Sequence, residues 1–306
     1  MKVVTVLMST FNGEKYLREQ IDSILNQEGN FKLELLVRDD GSKDNTTKIL
    51  DEYKEKGKLN WYTGSNMGPA LSFIDLIKHS GESDYYSFAD QDDFWEKEKL
   101  KNAVQNIVKS GSSKLPVLYF ANASLVDSKL SSLGRNVYKA QPRTDFCTLV
   151  CAGGLLGCTM VMNDNLAHFI RKIQLSGPIV MHDFYAAVLC KALGGRIIYD
   201  ENPQMKYRQH GNNVVGVSYG IIGKVKGRLK DITTKSKVSI AVQAKTVLAA
   251  ADVVEISENN KKWLEKVADY DKSVFSRIKL ACSLKTKYVS KNMAFKIRAS
   301  ILLGNR

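Results

Sequence analysis

The chain is poor in the residues that build metal-thiolate centres and disulfide scaffolds. It holds four histidines and five cysteines among 306 residues. Cys147 and Cys151 have no partners at zinc-ligand spacing, and the histidines do not complete a site. An odd cysteine count (Cys147, Cys151, Cys158, Cys190 and Cys282) argues against a disulfide framework and for reduced, mostly buried thiols in a cytoplasmic protein. No segment approaches the roughly 18 uninterrupted apolar residues of a membrane span. The opening run Met1–Met8 passes directly into Ser9-Thr10-Phe11-Asn12 without a small-residue cleavage site, so it reads as a strand and not a signal peptide. No G-x-G-x-x-G follows that strand and no Walker A sequence occurs. Dinucleotide binding and P-loop phosphoryl transfer therefore lose their main support.

What is present suffices for a large core, with 44% of residues hydrophobic. The net charge of +13 is unevenly placed: residues 219–306 hold 19 Lys+Arg against 7 Asp+Glu, while the first 218 are close to balanced. We place a domain boundary near Gly216–Gly223, giving a domain over 1–218 (halves of about 1–110 and 111–218) and a basic, mainly helical region over 219–306. Such a region suggests an anionic partner, a membrane surface or nucleic acid.

Periodicity predicts alternating strands and helices. Residues 2–8 form a strand and about 14–27 a helix with Leu17, Ile21, Ile24 and Leu25 on one face, Asn12 serving as N-cap. Strand 33–37 leads to a helix opened by Asp44, and strand 60–62 to a helix with Pro69 in its first turn. A strand over 84–89 follows. This β-α-β-α-β-α-β order argues for a mostly parallel, doubly wound sheet, in which ligands bind beyond the carboxyl ends of the strands. Three polar clusters fall at those ends: Ser9–Asn12, Asp39–Ser42 and Asp90–Asp93. In the last, Tyr85–Ala89 is apolar and aromatic, and Asp90, Asp92 and Asp93 then crowd three carboxylates into four positions. Carboxylates so placed repel one another unless a cation or donors compensate, and hard oxygen ligands suit Mg²⁺ or Mn²⁺. A lone Asp-x-Asp identifies no chemistry, and a polar turn capping the next helix is the plain alternative.

Farther on, Trp95–Ser110 reads as an exposed helix, Val117–Asn122 and Gly195–Tyr199 as strands, and Ala152–Asn163 as a glycine-rich bend joined to a β-prone segment. Asp183 opens an apolar helix through Leu193, either as its N-cap or as a functional carboxylate. Tyr207-Arg208-Gln209-His210-Gly211 is dense in groups that meet a diphosphate or a metal, or that line a surface loop. In the basic region Phe275, Ile278, Cys282, Val289, Met293, Ile297 and Ile301 recur at helical spacing between lysines and arginines. Such a stripe suits an anionic membrane, the rest of the chain or a second subunit.

The ordered set Ser9-Thr10-Phe11-Asn12, Arg38-Asp39-Asp40-Gly41-Ser42, Asn66-x-Gly68, Asp90-Gln91-Asp92-Asp93-x-Trp95, His182-Asp183 and Tyr207-Arg208-Gln209-His210 resembles the inverting family 2 glycosyltransferases of GT-A fold. The details Asp-Gln-Asp-Asp, Gly157-Cys158-Thr159-Met160 and Tyr-Arg-Gln-His-Gly resemble its bacterial rhamnosyltransferase branch. The resemblance spans residues 3 to about 216.

It implies a GT-A, Rossmann-like α/β fold and a nucleoside diphosphate sugar as donor. By that resemblance Ser9, Thr10, Phe11, Glu14 and Asn66 hold the nucleotide, and Asp39 or Asp40, with Asp40 favoured, accepts from the pyrimidine N3–H. Asp90 lies near the ribose and Asp92 holds Mn²⁺ or Mg²⁺, with Asp90 and His210 as further ligands. Arg208 faces the diphosphate and Asp183 is the catalytic base. The implied donor is dTDP-L-rhamnose, with a UDP-hexose (glucose or galactose) as the alternative. The implied acceptor is a saccharide, lipid-linked in some relatives, in cell-surface polysaccharide synthesis. The protein is then expected in the cytoplasm or peripheral on the inner membrane face, with the C-terminal helices available for homo-oligomer contacts. A nucleic-acid-binding reading of the basic region lacks interleaved aromatic platforms and any known motif. A catalytically silent scaffold has no need of Asp90, Asp92, Asp183, Arg208 and His210 together.

Overall fold

The computed structural model describes residues 1–111, 114–209 and 238–306. The first seven elements follow the predicted order: β1 (Lys2–Thr10), α1 (Leu17–Leu25), β2 (Phe31–Asp39), α2 (Thr46–Glu55), β3 (Asn60–Thr63), α3 (Gly68–His79) and β4 (Tyr85–Ala89). β1 pairs in parallel with β2 and β4, and β2 with β3. Successive residues of β1 enter opposite cores, Leu7 packing with Phe88 and Leu118 on one face, Val6 and Met8 with Val37 and Ala89 on the other. That is why the strand reads as a continuous apolar run: helices cover both faces. The register Thr10↔Asp39 and Met8↔Ala89 brings the three polar clusters to one edge.

The remaining described elements are β5 (Phe94–Trp95), α4 (Lys99–Lys109), β6 (Val117–Val126), β7 (Ser132–Asn136), α5 (Phe146–Ala152), a 3₁₀ turn at Gly157–Thr159, β8 (Val161–Asn163), α6 (Asp164–Lys172), α7 (His182–Ala192) and β9 (Arg196–Arg208). The sheet order is β3-β2-β1-β4-β8-β6-β9-β5, with β7 on β6. β8 runs antiparallel to β4 and β6, so the parallel half is closed by a mixed one. This is the expected α/β architecture with flanking helices.

Three local expectations are corrected. Phe94 and Trp95 do not begin a helix; they pair antiparallel with Lys206 and Met205 of β9. A partner strand more than a hundred residues away gives the aromatic pair a ladder that local periodicity cannot show. α4 begins only at Lys99 and is not simply exposed, because Leu100, Ala103 and Ile107 are buried. β9 runs on from Tyr199 to Arg208, its register against β6 shifting around Asn122, opposite Pro203, where a residue without an N–H is tolerated.

Beyond residue 237 come α8 (Ile240–Ala249), α9 (Glu258–Ala268), α10 (Val274–Ala281) and α11 (Lys291–Leu302). Each is preceded by a serine, Ser239, Ser257, Ser273 or Ser290, whose hydroxyl accepts from the N–H three residues on. Ile240, Val247, Trp263, Leu264, Leu280, Ile297 and Ile301 join the core that covers one face of the sheet. The basic region therefore packs on the rest of the chain through part of the predicted stripe, while Phe275, Ile278 and Val289 stay exposed. The Gly216–Gly223 boundary lies outside the described residues. No helix among the described residues is long and apolar enough to cross a membrane.

Candidate active site

The site is assembled from the turns at the carboxyl ends of β1, β2 and β4. Asn12 adopts φ 49°, a left-handed conformation that asparagine tolerates. Its side-chain oxygen accepts from Lys43 N at 2.8 Å. Asn12 thus ties two loops together and does not cap α1, whose N-cap position is Tyr16. Asp39 is buried and spends both oxygens locally. It accepts from Gly41 N (3.1 Å), Ser42 N (2.9 Å), Thr10 Oγ1 (3.2 Å) and Ser42 Oγ. Glu14 accepts from the backbone and side-chain amides of Asn45 at 2.9 and 2.8 Å. Thr10, Asp39 and Glu14 therefore brace the loops.

Asp40 is placed differently. It pairs with buried Arg38 and accepts from Met67 N (3.0 Å) and Gly68 N (2.9 Å), sitting at the amino end of α3. Gln91 clamps the β1 turn, accepting from Phe11 N at 2.9 Å and donating to Phe11 O at 3.0 Å. Among these groups opens a cavity of about 380 Å³ lined by Ser9, Phe11, Asp40, Asn66, Gly68, Pro69, Phe73, Asp90, Gln91, Asp92 and Tyr207. The cavity wall thus carries both aromatic rings and carboxylates.

Behind that wall the charge is dense. Carboxylate oxygens of Asp90 and Asp93 and the Cys158 thiol lie within 4.8 Å of one another. Burial first, then the charges of Asp92 and Asp183, push Asp90 up to about 7. Asp93 is raised well above the usual range, chiefly by burial and then by Asp92. A divalent cation relieves repulsion of this kind, and Asp90 and Asp92 offer the hard oxygen donors at the cavity surface that Mg²⁺ or Mn²⁺ prefers. The chemistry of this donor set fits the expected metal. Cys158, whose thiol burial keeps protonated, is a soft donor unsuited to those ions. Lys99 lies beneath, fully buried, with Nζ 3.4 Å from the centre of the Trp95 ring and donating to Ser87 Oγ at 3.2 Å; desolvation lowers it to about 7.

Asp183 approaches from α7. The helix is capped at Met181 without a side-chain bond, so Asp183 is not its N-cap. Its oxygens accept from Phe184 N (2.6 Å) and Gly157 N (3.1 Å), and desolvation raises it to about 6. A carboxylate with a pKa just below neutrality, held by two N–H groups, is suited to take a proton. Neighbouring His182 stacks on Phe73 (3.9 Å between centroids) and burial holds it neutral, near 3.

Arg208 does not line the cavity. It is 1% exposed, stacks over the Tyr16 ring at 4.4 Å, and bonds Glu19 and the carbonyls of Asp92 and Ser128 (both 2.7 Å). Its backbone N–H donates to Asp93 at 3.1 Å. Asp93 is correspondingly buried and caps no helix. Arg208 thus fixes the backbone of the carboxylate loop from behind. His210 lies outside the described residues.

The model of Glycosyl transferase family 2 matches residues 5–161, half of the chain and all of the carboxylate edge just described. This chain is a family 2 glycosyltransferase. It is 32% identical over 239 residues to the dTDP-rhamnosyl transferase RfbG of Shigella flexneri, covering 72% of this chain and 77% of that one. It is 34% identical over 192 residues to an uncharacterized glycosyltransferase of Haemophilus influenzae, covering 62% and 71%. Its fold is similar to that of S. aureus TarS 1-349 in complex with UDP, with a TM-score of 0.55 at 19% identity, over 93% of this chain and 76% of that one.

Of the glycosyltransferase residues expected from the sequence, Ser9, Phe11, Asp40, Asn66, Asp90 and Asp92 line one cavity, and Asp183 lies close enough to raise Asp90. Gln91, Tyr207 and Phe73 also line the cavity, and Gly157 N donates to Asp183, although none of the four was expected at the site. Gln91 and Tyr207 stood inside quoted motifs. Gly157 likewise stood inside Gly157-Cys158-Thr159-Met160, and a Cβ there would fall 2.9 Å from both Asp183 Cβ and His182 Nε2; Phe73 carries no such signal.

Proposed function

We propose that this family 2 enzyme transfers L-rhamnose from dTDP-L-rhamnose to a saccharide acceptor, with inversion, in bacterial cell-surface polysaccharide synthesis. The observation that carries the reading is the similarity to dTDP-rhamnosyl transferase RfbG over 72% of the chain, joined to a carboxylate-edged cavity. In it Phe11 offers a ring face to the base, and Asp40, the member of the Asp39–Asp40 pair at the cavity, accepts the pyrimidine N3–H. Asp90 meets the ribose, and Ser9 and Asn66 complete the nucleotide wall. Asp92 and Asp90 hold Mn²⁺ or Mg²⁺, with His210 as a further ligand. When bound, the metal neutralises charge developing on the diphosphate.

Asp183 takes the acceptor hydroxyl proton as that oxygen attacks the anomeric carbon from the face opposite the leaving diphosphate. The C–O bond forms as the bond to the diphosphate oxygen breaks, and the configuration inverts. Arg208, through the Asp92 carbonyl and the Asp93 carboxylate, keeps the metal-binding loop in register. A UDP-hexose donor is the second reading. It is favoured by 32% identity over 106 residues to the poly(ribitol-phosphate) beta-N-acetylglucosaminyltransferase TarS of Staphylococcus aureus, over 34% of this chain and 18% of that one.

The test is a panel of dTDP-L-rhamnose, UDP-glucose, UDP-galactose and UDP-GlcNAc, scored by thermal shift and by donor hydrolysis with Mn²⁺, with Mg²⁺ and in EDTA. The expected result is turnover of dTDP-L-rhamnose that stops in chelator and returns with either metal. Turnover of a UDP-sugar alone overturns the rhamnose reading. Full activity after verified removal of metal overturns the roles of Asp90 and Asp92.

A further inference from the structure

The chemistry at the sheet edge leaves one feature of the molecule unused. Residues 272–306 contain nine Lys+Arg and not one Asp or Glu. Within the same stretch the large apolar side chains divide. Leu280, Ile297 and Ile301 are buried, but Phe275 is 73% exposed, Leu284 90% and Phe295 66%. Val274, Ile278 and Leu302 are exposed with them. On α10, Val274, Phe275 and Ile278 stand at i, i+1 and i+4, one face of the helix; on α11, Phe295 and Leu302 stand two turns apart on another. Lys279, Lys285, Lys287 and Lys291 are exposed among them. Lys272 pairs with Asp269 just before the segment. Scattered exposed apolar residues are ordinary, but several large ones along a cationic segment that itself holds no carboxylate side chain mark an interaction face.

We propose that the α10–α11 face docks on an anionic lipid bilayer, its exposed lysines meeting the headgroups while Phe275, Leu284 and Phe295 enter the interface. Charge decides among the occupants. A second copy would set one cationic face against another. Residues 210–237 carry six Lys+Arg against one Asp, so they are not complementary to it either. A nucleic acid satisfies the cations but leaves the protruding Phe and Leu side chains in water. A bilayer with acidic headgroups takes both. The face is also firmly mounted. Thr148 Oγ1 donates to Lys287 O at 3.2 Å and accepts from Lys287 N at 2.7 Å, and Arg306 Nε donates to Cys151 O at 3.0 Å. These bonds fasten the segment to α5, so docking requires no rearrangement of the core.

The inference is independent of the sugar-transfer reading and is tested without any sugar. The full chain is sedimented with vesicles of phosphatidylcholine alone and of phosphatidylcholine with phosphatidylglycerol. Binding is expected only to the anionic vesicles, weakening strongly between about 0.05 and 0.5 M salt. Phe275→Ser/Leu284→Ser/Phe295→Ser is expected to lower partitioning at least about tenfold with an unchanged melting temperature, since all three side chains are exposed. Lys279→Glu/Lys285→Glu/Lys287→Glu should have a similar effect. Failure of the wild-type chain to sediment overturns the proposal. So does undiminished sedimentation of the triple serine variant, which would place the contact elsewhere in the chain. A dimer in analytical ultracentrifugation that the serine variant abolishes would assign the face to a second copy. Salt-sensitive DNA retention without vesicle binding would assign it to nucleic acid.

Discussion

Replacing Asp183 by Asn separates catalysis from stability. In the folded protein desolvation raises this carboxyl from 3.8 to about 6, against two N–H bonds that favour the charged form. Because the folded pKa lies above the unfolded one, the folded chain takes up a proton between about pH 4 and 6. The stability this group confers is complete below that window and is lost as pH rises through about 6. At pH 7.5 the ionised carboxylate therefore costs stability. Two units convert to about 3 kcal/mol, and partial exposure of Asp183 screens that to about 1–2 kcal/mol. Asn keeps one acceptor for Phe184 N or Gly157 N and leaves the other without its partner, which costs about 1 kcal/mol or more, so the net change stays within about 1 kcal/mol, or ~2 °C in Tm. The same change removes the base. We expect kcat to fall about 10²–10⁴-fold while donor affinity, followed by thermal shift, stays within about threefold. In the wild type, log kcat/KM should fall with unit slope below pH ~6. A folded Asp183→Asn protein with near-normal turnover would falsify the assignment, as would a wild-type rate independent of pH down to about 5.

Two further substitutions probe the cavity walls. Phe11 is 46% exposed, so Phe11→Ala should leave Tm unchanged. If the ring stacks on the base it should raise donor KM roughly tenfold, since such stacking is worth about 1–3 kcal/mol; an unaltered KM removes Phe11 from the donor site. Gly157→Ala places a Cβ 2.9 Å from Asp183 Cβ and should push the carboxylate out of line. The expected loss is about tenfold or more in kcat with donor KM unchanged. Normal kcat would show that the 153–157 loop yields and does not position Asp183.

The alternation from β1 to β4 was legible because each element carries its own periodicity and its own punctuation, such as Pro69 in the first turn of α3 and Asp44 bonding Thr46 N. Motifs at consecutive strand ends were legible for the same reason: parallel pairing must bring those ends to one edge. Whether a given polar residue faces the ligand was not. Asp39 and Asp40 are adjacent and alike in sequence, yet one is consumed by its own turn while the other reaches the cavity. Arg208 reads as a diphosphate contact in sequence, and the structure places it buried among Glu19, Asp92 and Ser128, partners from three distant segments that local pattern cannot show. In the basic region the spacing of apolar residues predicted a single stripe. Packing put Ile297 and Ile301 into the core and left Phe275 in solvent. The sequence by itself determined the order of strands, the edge where chemistry gathers and the sign of the C-terminal charge, all of which follow from local pattern. Tertiary structure alone decided which carboxylates stay free to act and which apolar groups reach solvent, because burial depends on partners far away in the chain.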